Sequence, residues 1–471
     1  MATRLTRTTT TPTLSTKCTF SAWVKRTDSA LNSSGRDAIL CENYIDGNNY
    51  AWIRFDGSDK LNVYGVISSS AFVSISTDRV FKDTSAWYHI VCVLDSTEST
   101  STDRLKIYVN GVRETSLSGS TYPGSSDNIG FNRSGGTFIL GDSLKYTSNF
   151  QFDGQYSHVH FVDGLAYQAS TFGETDSTTG EWKINTSPSI AEYGANGFFM
   201  FKDDASVNDD SGKGNNFTVA AGSIQKTEDN PSNVFCVLNF GQRSRMTSDS
   251  SGDYIKVGHL TFDTTSDNAL KSINNGTIGA VSGKWYWEAK VITNARMQIG
   301  ISTGVEQKFP QAYYDETEYT AMTLNLNGTF TGRYTGSASD EFGTGTANTT
   351  NDILGFALDM DNKALYVHKD GVYLSNGSAV GVPTSGSSRT GSLVEGLAGS
   401  RDDYFPDGVF MFPVMMDIST SGTAKVEFNF GNGFFGTTEI TSAGANASNL
   451  GRFEYDVPTG YTALCTKGLN L

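Results

Sequence analysis

Short alternating runs, each closed off by Gly, Asn, Asp or Ser, recur along this chain and leave little of it for helices. From residue 19 they read TFSAWVK, YAWIRF, KLNVYGV, FVSIS, WYHIVCVL, RLKIYV, TFILG and QYSHVHFV. Each has period-2 alternation or a β-branched and aromatic centre, the requirement for a strand that buries at least one face. After a connector the pattern resumes with GKWYWEAKV, MQIGIS, YTAMTLNL, DILGFALDM, KALYVHKDGVYL, VFMFPVMMDI and AKVEFNFG. Asn110-Gly111 and Asp370-Gly371 predict two-residue hairpin turns, because both positions tolerate positive φ. Trp285, Tyr286 and Trp287 alternate along one strand, so a single face cannot bury all three rings. Only VDGLAYQASTFGE (Val162 to Glu174) reads as a short helix. Neither heptads nor a fixed short repeat occurs, so no coiled-coil shaft or solenoid is expected.

Composition fits many strands and turns. Of 471 residues 50 are Gly, and 18% are charged, against averages of about 7% and about 25%. The length suits two or three domains, each large enough for its own core. With 35 Lys+Arg and 50 Asp+Glu the net charge is -15, which argues against wrapping nucleic acid or anionic lipid. No run approaches the ~18 apolar residues of a membrane span, so no membrane insertion is expected. The start is polar and Thr-rich, unlike a signal peptide. Cys18, Cys41, Cys92, Cys236 and Cys465 are scattered without CxxC spacing, as reduced, buried thiols are. Residues 1–16 are expected as an N-terminal arm, 17–222 and 253–471 as two tandem antiparallel β-sandwiches, and 223–252 as a connector. The arm's Arg4 and Arg7, with Lys17 beyond it, suit either a frayed end or docking on a neighbour.

Catalytic signatures are missing: there is no HExxH, GxSxG or Walker A loop. GNGFFG (Gly431 to Gly436) matches the dinucleotide pattern formally, but no amphipathic helix follows it. His158 and His160 share a strand face two residues apart and supply at most half a metal site. YYDETEY combines Tyr313, Tyr314, Asp315, Glu316 and Glu318 in one loop. That mixture suits sugar binding, with rings stacking and carboxylates accepting from hydroxyls, and equally an ordinary solvated loop. FKDDASVNDDSGKGNN is the densest oxygen-ligand stretch, with Asp203, Asp204, Asp209 and Asp210.

The first half resembles laminin-G-type, concanavalin A-like jelly rolls over roughly residues 17–175. The resemblance is carried by FSAWVKR, WYHIVCVLD, RLKIYVNGVR and FDGQYSHVHFVDGLAY in that order. FKDDASVNDDSGKGNNFTV (Phe201 to Val219) resembles the strand that opens such domains; placed last, it implies a permuted sandwich completed by its final strand. Calcium at the four Asp residues is what this resemblance implies, since laminin-G relatives often bind it. The second half resembles SPRY domains through GKWYWEAKV, IGIS, ILGFALDMDNKALYVHKDGV and VEFNFG. SPRY domains bind through edge loops, which makes Tyr313 to Glu318 the expected ligand site. VDGLAYQASTFGE, DNPSNVFCVLN and the closing FEYDVPTGYTALCTKGLNL resemble segments of tailed-bacteriophage virion proteins.

The combined expectation is an all-β, non-enzymatic surface protein of a virion, made in the host cytoplasm and exposed on the particle exterior. Its work would be tail-type adhesion to host-surface glycan or protein, with other virion proteins and further copies of itself as partners. A capsid decoration protein is the rival within that class, and a polysaccharide depolymerase the rival outside it.

Overall fold

The computed structural model describes residues 3–27, 37–146, 150–239, 244–245, 255–256, 258–264, 272–294, 297–304, 321–325, 328–333, 340–343, 347–397, 399–417 and 424–470. The chain divides into two compact units, Met1–Lys226 and Thr227–Leu471, each built of antiparallel sheets.

In the first unit a six-stranded sheet runs, edge to edge, through Phe198–Met200, Gly154–Asp163, Lys17–Arg26, Tyr88–Asp95, Leu105–Val109 and Val112–Arg113. An eight-stranded sheet runs through Leu117–Thr121, Ser70–Val80, Lys60–Ile67, Asn49–Phe55, Ala38–Asp46, Thr137–Leu140, Arg4–Thr8 and Thr218–Ala221. Alternation decides what lies between them. Phe20, Val24, Ile90 and Ile107 of the smaller sheet join Ile53, Phe55, Val63 and Phe138 of the larger in one buried cluster. Cys18, Cys41 and Cys92 belong to it too; all five cysteines of the chain are free and buried.

The expected N-terminal arm is instead part of this sandwich. Arg4–Thr8 pairs with Thr137–Leu140 on one side and with Thr218–Ala221 on the other. Arg7 donates to the Asn196 carbonyl at 3.0 Å, and Lys17 pairs with Asp95 at 2.9 Å. The final strand therefore closes the sheet against the first, as the permuted order implies. The stretch Val162 to Glu174 is not an α-helix. Its start ends a strand, Gly164 turns at φ 99°, and only a 3-10 turn follows at Ala169–Thr171. At the Asn110-Gly111 hairpin φ is 47° and 79°, and a Cβ on Gly111 would stand 2.4 Å from the Trp182 ring.

In the second unit the larger sheet runs through Ile255–Lys256, Thr261–Asp263, Ala424–Asn429, Lys284–Asn294, Ile353–Asp359, Ala364–Lys369 and Val372–Tyr373, and Thr462–Ala463 pairs in parallel with Lys284–Asn294. A seven-stranded sheet runs through Ser244–Arg245, Ser272–Asn275, Phe412–Asp417, Met297–Ser302, Ala321–Asn325, Thr329–Arg333 and Asp340–Gly343. All three rings of Trp285–Tyr286–Trp287 are buried, because both faces of their strand are covered. Trp287 stacks on Phe356 at 5.4 Å on one face. On the other, Tyr286 lies with Tyr366, Phe453, Val457, Tyr461 and Cys465, so the C-terminal segment supplies the cover. Phe235 bridges Cys465, and Cys236 N–H donates to the Leu464 carbonyl. The segment expected as a connector thus clasps the chain's end.

Glu288 anchors that cover. Its carboxylate, with no exposed surface, accepts from Tyr286 OH and Asn429 Nδ2 and from the backbone N–H groups of Glu454 and Tyr455, at 2.8–3.1 Å. Gly371 N–H donates to His368 Nδ1, so Nε2 carries the ring proton and donates to Tyr286 OH at 2.7 Å. Gly355 leaves the room: a Cβ there would lie 1.9 Å from His368 Nε2. Burial pushes Glu288 up to about 7 against the pull of its four donors. Glu288→Gln turns an amide N–H toward donors that need an acceptor. It should cost about 2 kcal/mol or more, read as a lower melting temperature with earlier proteolytic cutting near residue 454.

Candidate functional site

Strand alternation sends one set of side chains in the first unit's larger sheet away from the core, and these are aromatic and polar. Ala51, Ile53 and Phe55 point into the sandwich, so Tyr50, Trp52 and Arg54 point out. Pairing register builds rows across the strands. Glu42, Trp52, Tyr64 and Ser74 form one. Tyr44, Tyr50 and Val66 lie on one side of it, and Arg54, Asn62, Ser76 and Ser118 on the other.

The rings are in contact. Trp52 lies 5.4 Å from Tyr64 and 4.9 Å from Tyr50. Tyr146 and Phe150 stack on each other at 4.4 Å and lie over Trp52 at 5.8 and 6.4 Å. Arg54 stands 4.7 Å above the Trp52 ring and pairs with Asp37; Lys145 stands 4.8 Å from the Tyr50 ring. Trp52 is buried beneath this layer, whereas Tyr44 and Tyr64 are half-buried and Tyr146 is exposed. Asn62 joins the rows, accepting from Arg54 Nε at 3.1 Å and donating to Ser76 Oγ at 3.0 Å. Beyond Tyr64 the face continues into half-buried Ser74 and Ser76 and exposed Ser118. Rigid rings beside hydroxyl and amide groups are what a shallow polar ligand needs.

Glu42 lies at the edge of this layer without exposed surface. It accepts from Ser143 Oγ at 3.0 Å and from Leu144 N–H at 2.6 Å, and burial raises it to about 7. Those bonds seat the turn that carries Lys145 and Tyr146. Its task is positional, since no substrate can reach it.

The smaller sheet's outer face is roofed by residues 164–197. Trp182 Nε1–H donates to His89 Nδ1 at 3.0 Å, which leaves the proton on Nε2, facing Ser21 Oγ at 2.9 Å. A histidine that donates to a serine cannot take its proton, and Ser21 is wholly buried. This Ser–His pair is therefore structural, not nucleophilic. His158 and His160 do not form half a metal site. A register shift between Ser157 and His160 breaks the alternation, and His158 sits at φ 49°. His160 Nδ1 is bonded to Tyr193 OH at 2.8 Å and its ring stacks on Phe199 at 4.0 Å.

Of the residues expected to bind from sequence, Tyr313, Tyr314, Asp315, Glu316 and Glu318 lie outside the described residues. Asp209 is the centre of a turn: its two oxygens accept from the N–H groups of Phe199, Ser211 and Asn215 and from Ser211 Oγ, at 2.8–2.9 Å. Asp204 accepts from Ser206 N–H, and Asp203 and Asp210 are exposed. Partial burial and the neighbouring carboxylates raise Asp210. Among the described residues no three His, Cys, Asp or Glu side chains converge as a metal site would require. No described helix is long and apolar enough to cross a membrane. GNGFFG opens no helix; Phe434–Phe435 pairs with Thr438–Glu439.

Residues 3–170 match the family described as the Concanavalin A-like lectin/glucanases superfamily, Laminin_G_3. No curated protein matches the chain. Similar solved structures include the SPRY domain of human HERC1, at 17% identity, covering 36% of this chain and 87% of that one with a TM-score of 0.23. A heptameric SAP-like pentraxin from Limulus polyphemus matches at 15% identity over 39% of this chain and 86% of that one, TM-score 0.28. Domains LG4-5 of the mouse laminin alpha1 chain match at 7% identity over 90% and 85%, TM-score 0.28. The fold is all-β, in two tandem antiparallel sandwiches. The family match lies within the first of them.

Burial lowers His89 to about 3 and His158 to about 4, and pushes His160 well below its ordinary value. Each stabilises the fold fully above its unfolded value of about 6.5 and loses that contribution as pH falls toward the folded value. Glu42 acts oppositely, its contribution being complete below about 4.5 and lost as pH rises through about 7. Between pH 6.5 and 5 three histidines oppose one carboxyl, so the unfolded unit binds about two more protons. Its stability should fall with pH by up to about 2.7 kcal/mol per unit. Melting followed by tryptophan fluorescence should show the loss, and His158→Gln should reduce the slope by about one proton.

Proposed function

We propose that the chain is a non-catalytic adhesion protein displayed on the exterior of a tailed-phage particle. In this reading it binds host-surface glycan or protein through shallow sandwich surfaces and contacts other virion proteins, with further copies of itself among its partners. The observation that supports adhesion best is the open aromatic–polar face around Tyr64, Tyr44 and Tyr146, with Arg54, Asn62, Ser74 and Ser76 beside it. The match of residues 3–170 to a family of lectin and glucanase folds agrees with it. The particle setting rests on the sequence segments that resemble virion proteins, two of which, 229–239 and 453–471, are hydrogen-bonded together. Glu42 and Glu288, the carboxyls that burial raises to about 7, lack the exposure a glycosidic acid would need.

A face of this kind binds each ligand weakly, and many copies on one particle multiply it by avidity. Purified chain on a glycan array should retain a defined set of saccharides and release no reducing ends. Tyr64→Ala should weaken that binding about tenfold, the scale of a lost stacking contact, with the melting temperature lowered by only a few degrees for the lost packing on Trp52. Retention that is indifferent to Tyr64 sinks the assignment to this face, and sugar release would make the protein a depolymerase. Copy number per virion separates the settings: low multiples of three or six for a tail, hundreds for head decoration.

A further inference from the structure

The aromatic face carries one cation whose charge is not spent on a partner. The charge of Arg54 is taken up by Asp37, and its Nε by Asn62. Lys145 differs. Its Nζ donates to the Gly47 carbonyl at 2.9 Å and stands 4.8 and 5.7 Å from the Tyr50 and Tyr146 rings, and it forms no ion pair among the described residues. An ammonium has three donors, so the contact with Gly47 leaves two. The carboxylates around it are committed elsewhere. Glu42 is buried and turned to Ser143 and Leu144, Asp46 accepts from Asn48 and Asn49 and has Arg133 as its neighbouring cation, and Asp142 faces Arg4. In a chain of net charge -15 this leaves a positive point at the rim of a ring platform, complementary to an anion attached to a flat, hydroxylated body.

We infer that this face takes an acidic saccharide, with a uronic acid carboxylate on Lys145 and sugar rings against Tyr146 and Tyr64. The inference rests on the adhesion reading above and names the ligand class of that same face. The sheet fixes Tyr64 through Trp52, while the Glu42 carboxylate seats the turn bearing Lys145 and Tyr146. Ring and charge are thus held in place before ligand arrives, which lowers the ordering cost of binding. An exposed Lys–carboxylate contact is screened by salt, so the preference for acid should fade as ionic strength rises.

The test titrates the full chain with oligogalacturonate and with the same oligosaccharide after its carboxyls are reduced to neutral alcohols. At low salt the acidic form should bind about five- to tenfold more tightly. Lys145→Gln should erase that difference while leaving the neutral form within about twofold, and Tyr146→Ala should weaken both. Equal binding of the two forms, unchanged by Lys145→Gln, overturns the acidic class and leaves the adhesion reading standing. Binding of neither form overturns the acidic class, while the glycan array decides the adhesion reading separately. Equally tight binding of a poly-glutamate peptide overturns the saccharide assignment in favour of a protein ligand. Lys145 is only partly buried, so a melting temperature within a degree or so of wild type confirms that the variant is folded.

Discussion

A sheet has two faces, and in both units of this protein strands carry rings that point away from the sandwich core. Covering that second face is the constraint on which much else depends, because the cover is irregular chain whose own polar groups need partners. The second unit meets it with a carboxylate. Glu288 projects beside Tyr286 into the layer the C-terminal segment must cover; it accepts from the N–H groups of Glu454 and Tyr455, and Asn429, which also donates to it, donates to the Arg452 carbonyl. A carboxylate with no exposed surface is tolerable only when its lone pairs are filled. The cover and the anchor are therefore one structure: neither is stable without the other. The first unit repeats the device with Glu42 under residues 143–145, and a neutral form of it with His89 under Trp182.

These anchors also explain why Ser21 and His89 are not arranged as a nucleophile and its base. Ser21 beside His89 has the composition of a nucleophile and its base. The tautomer is dictated by Trp182, whose indole can only donate, so the ring nitrogen toward Ser21 already holds a proton. Perturbed pKa values mark functional sites only where a substrate can reach the group. Here the shifts at His89, His160, Glu42 and Glu288 fall on side chains with almost no exposed surface. They report desolvation under a covering layer.

What was legible in the sequence follows the range of the interaction. The strands and the Asn110-Gly111 and Asp370-Gly371 turns are local, and alternation or positive φ announced them. Arg4–Thr8 was not legible, because RLTRT has one apolar residue and gains its place from partners about 130 and more than 210 residues away in sequence. The Val162 to Glu174 stretch has helix-like apolar spacing, yet its first residues, Val162 and Asp163, pair with Thr19 and Cys18 of Lys17–Arg26, and sheet pairing wins over weak propensity. The aromatic face was half visible. In YAWIRF the large polar-edged side chains alternate with Ala, Ile and Phe, which is the signal for two unlike faces. That Tyr64 and Tyr146 join Trp52 is a matter of register and of one turn, which no local pattern encodes.

A ring platform on a sheet differs physically from one on a loop. Ladder hydrogen bonds hold Trp52 and Tyr64 at a spacing set by the strands, about 4.7–4.9 Å apart, and the observed ring separation of 5.4 Å follows from it. Rings so fixed lose little further freedom when a ligand lies on them, so even shallow contact yields net affinity. The limitation is reach: a flat face surrounds nothing, and each contact stays weak. In the particle setting proposed above, display of many copies would compensate for this, since a second engagement would occur at a high effective concentration. Weak, preorganised and repeated contact is a consistent physical scheme, and the acidic balance of the chain adds to it. Excess negative charge disfavours nonspecific adhesion to anionic surfaces everywhere except where a local cation, here Lys145 over Tyr50, reverses the sign.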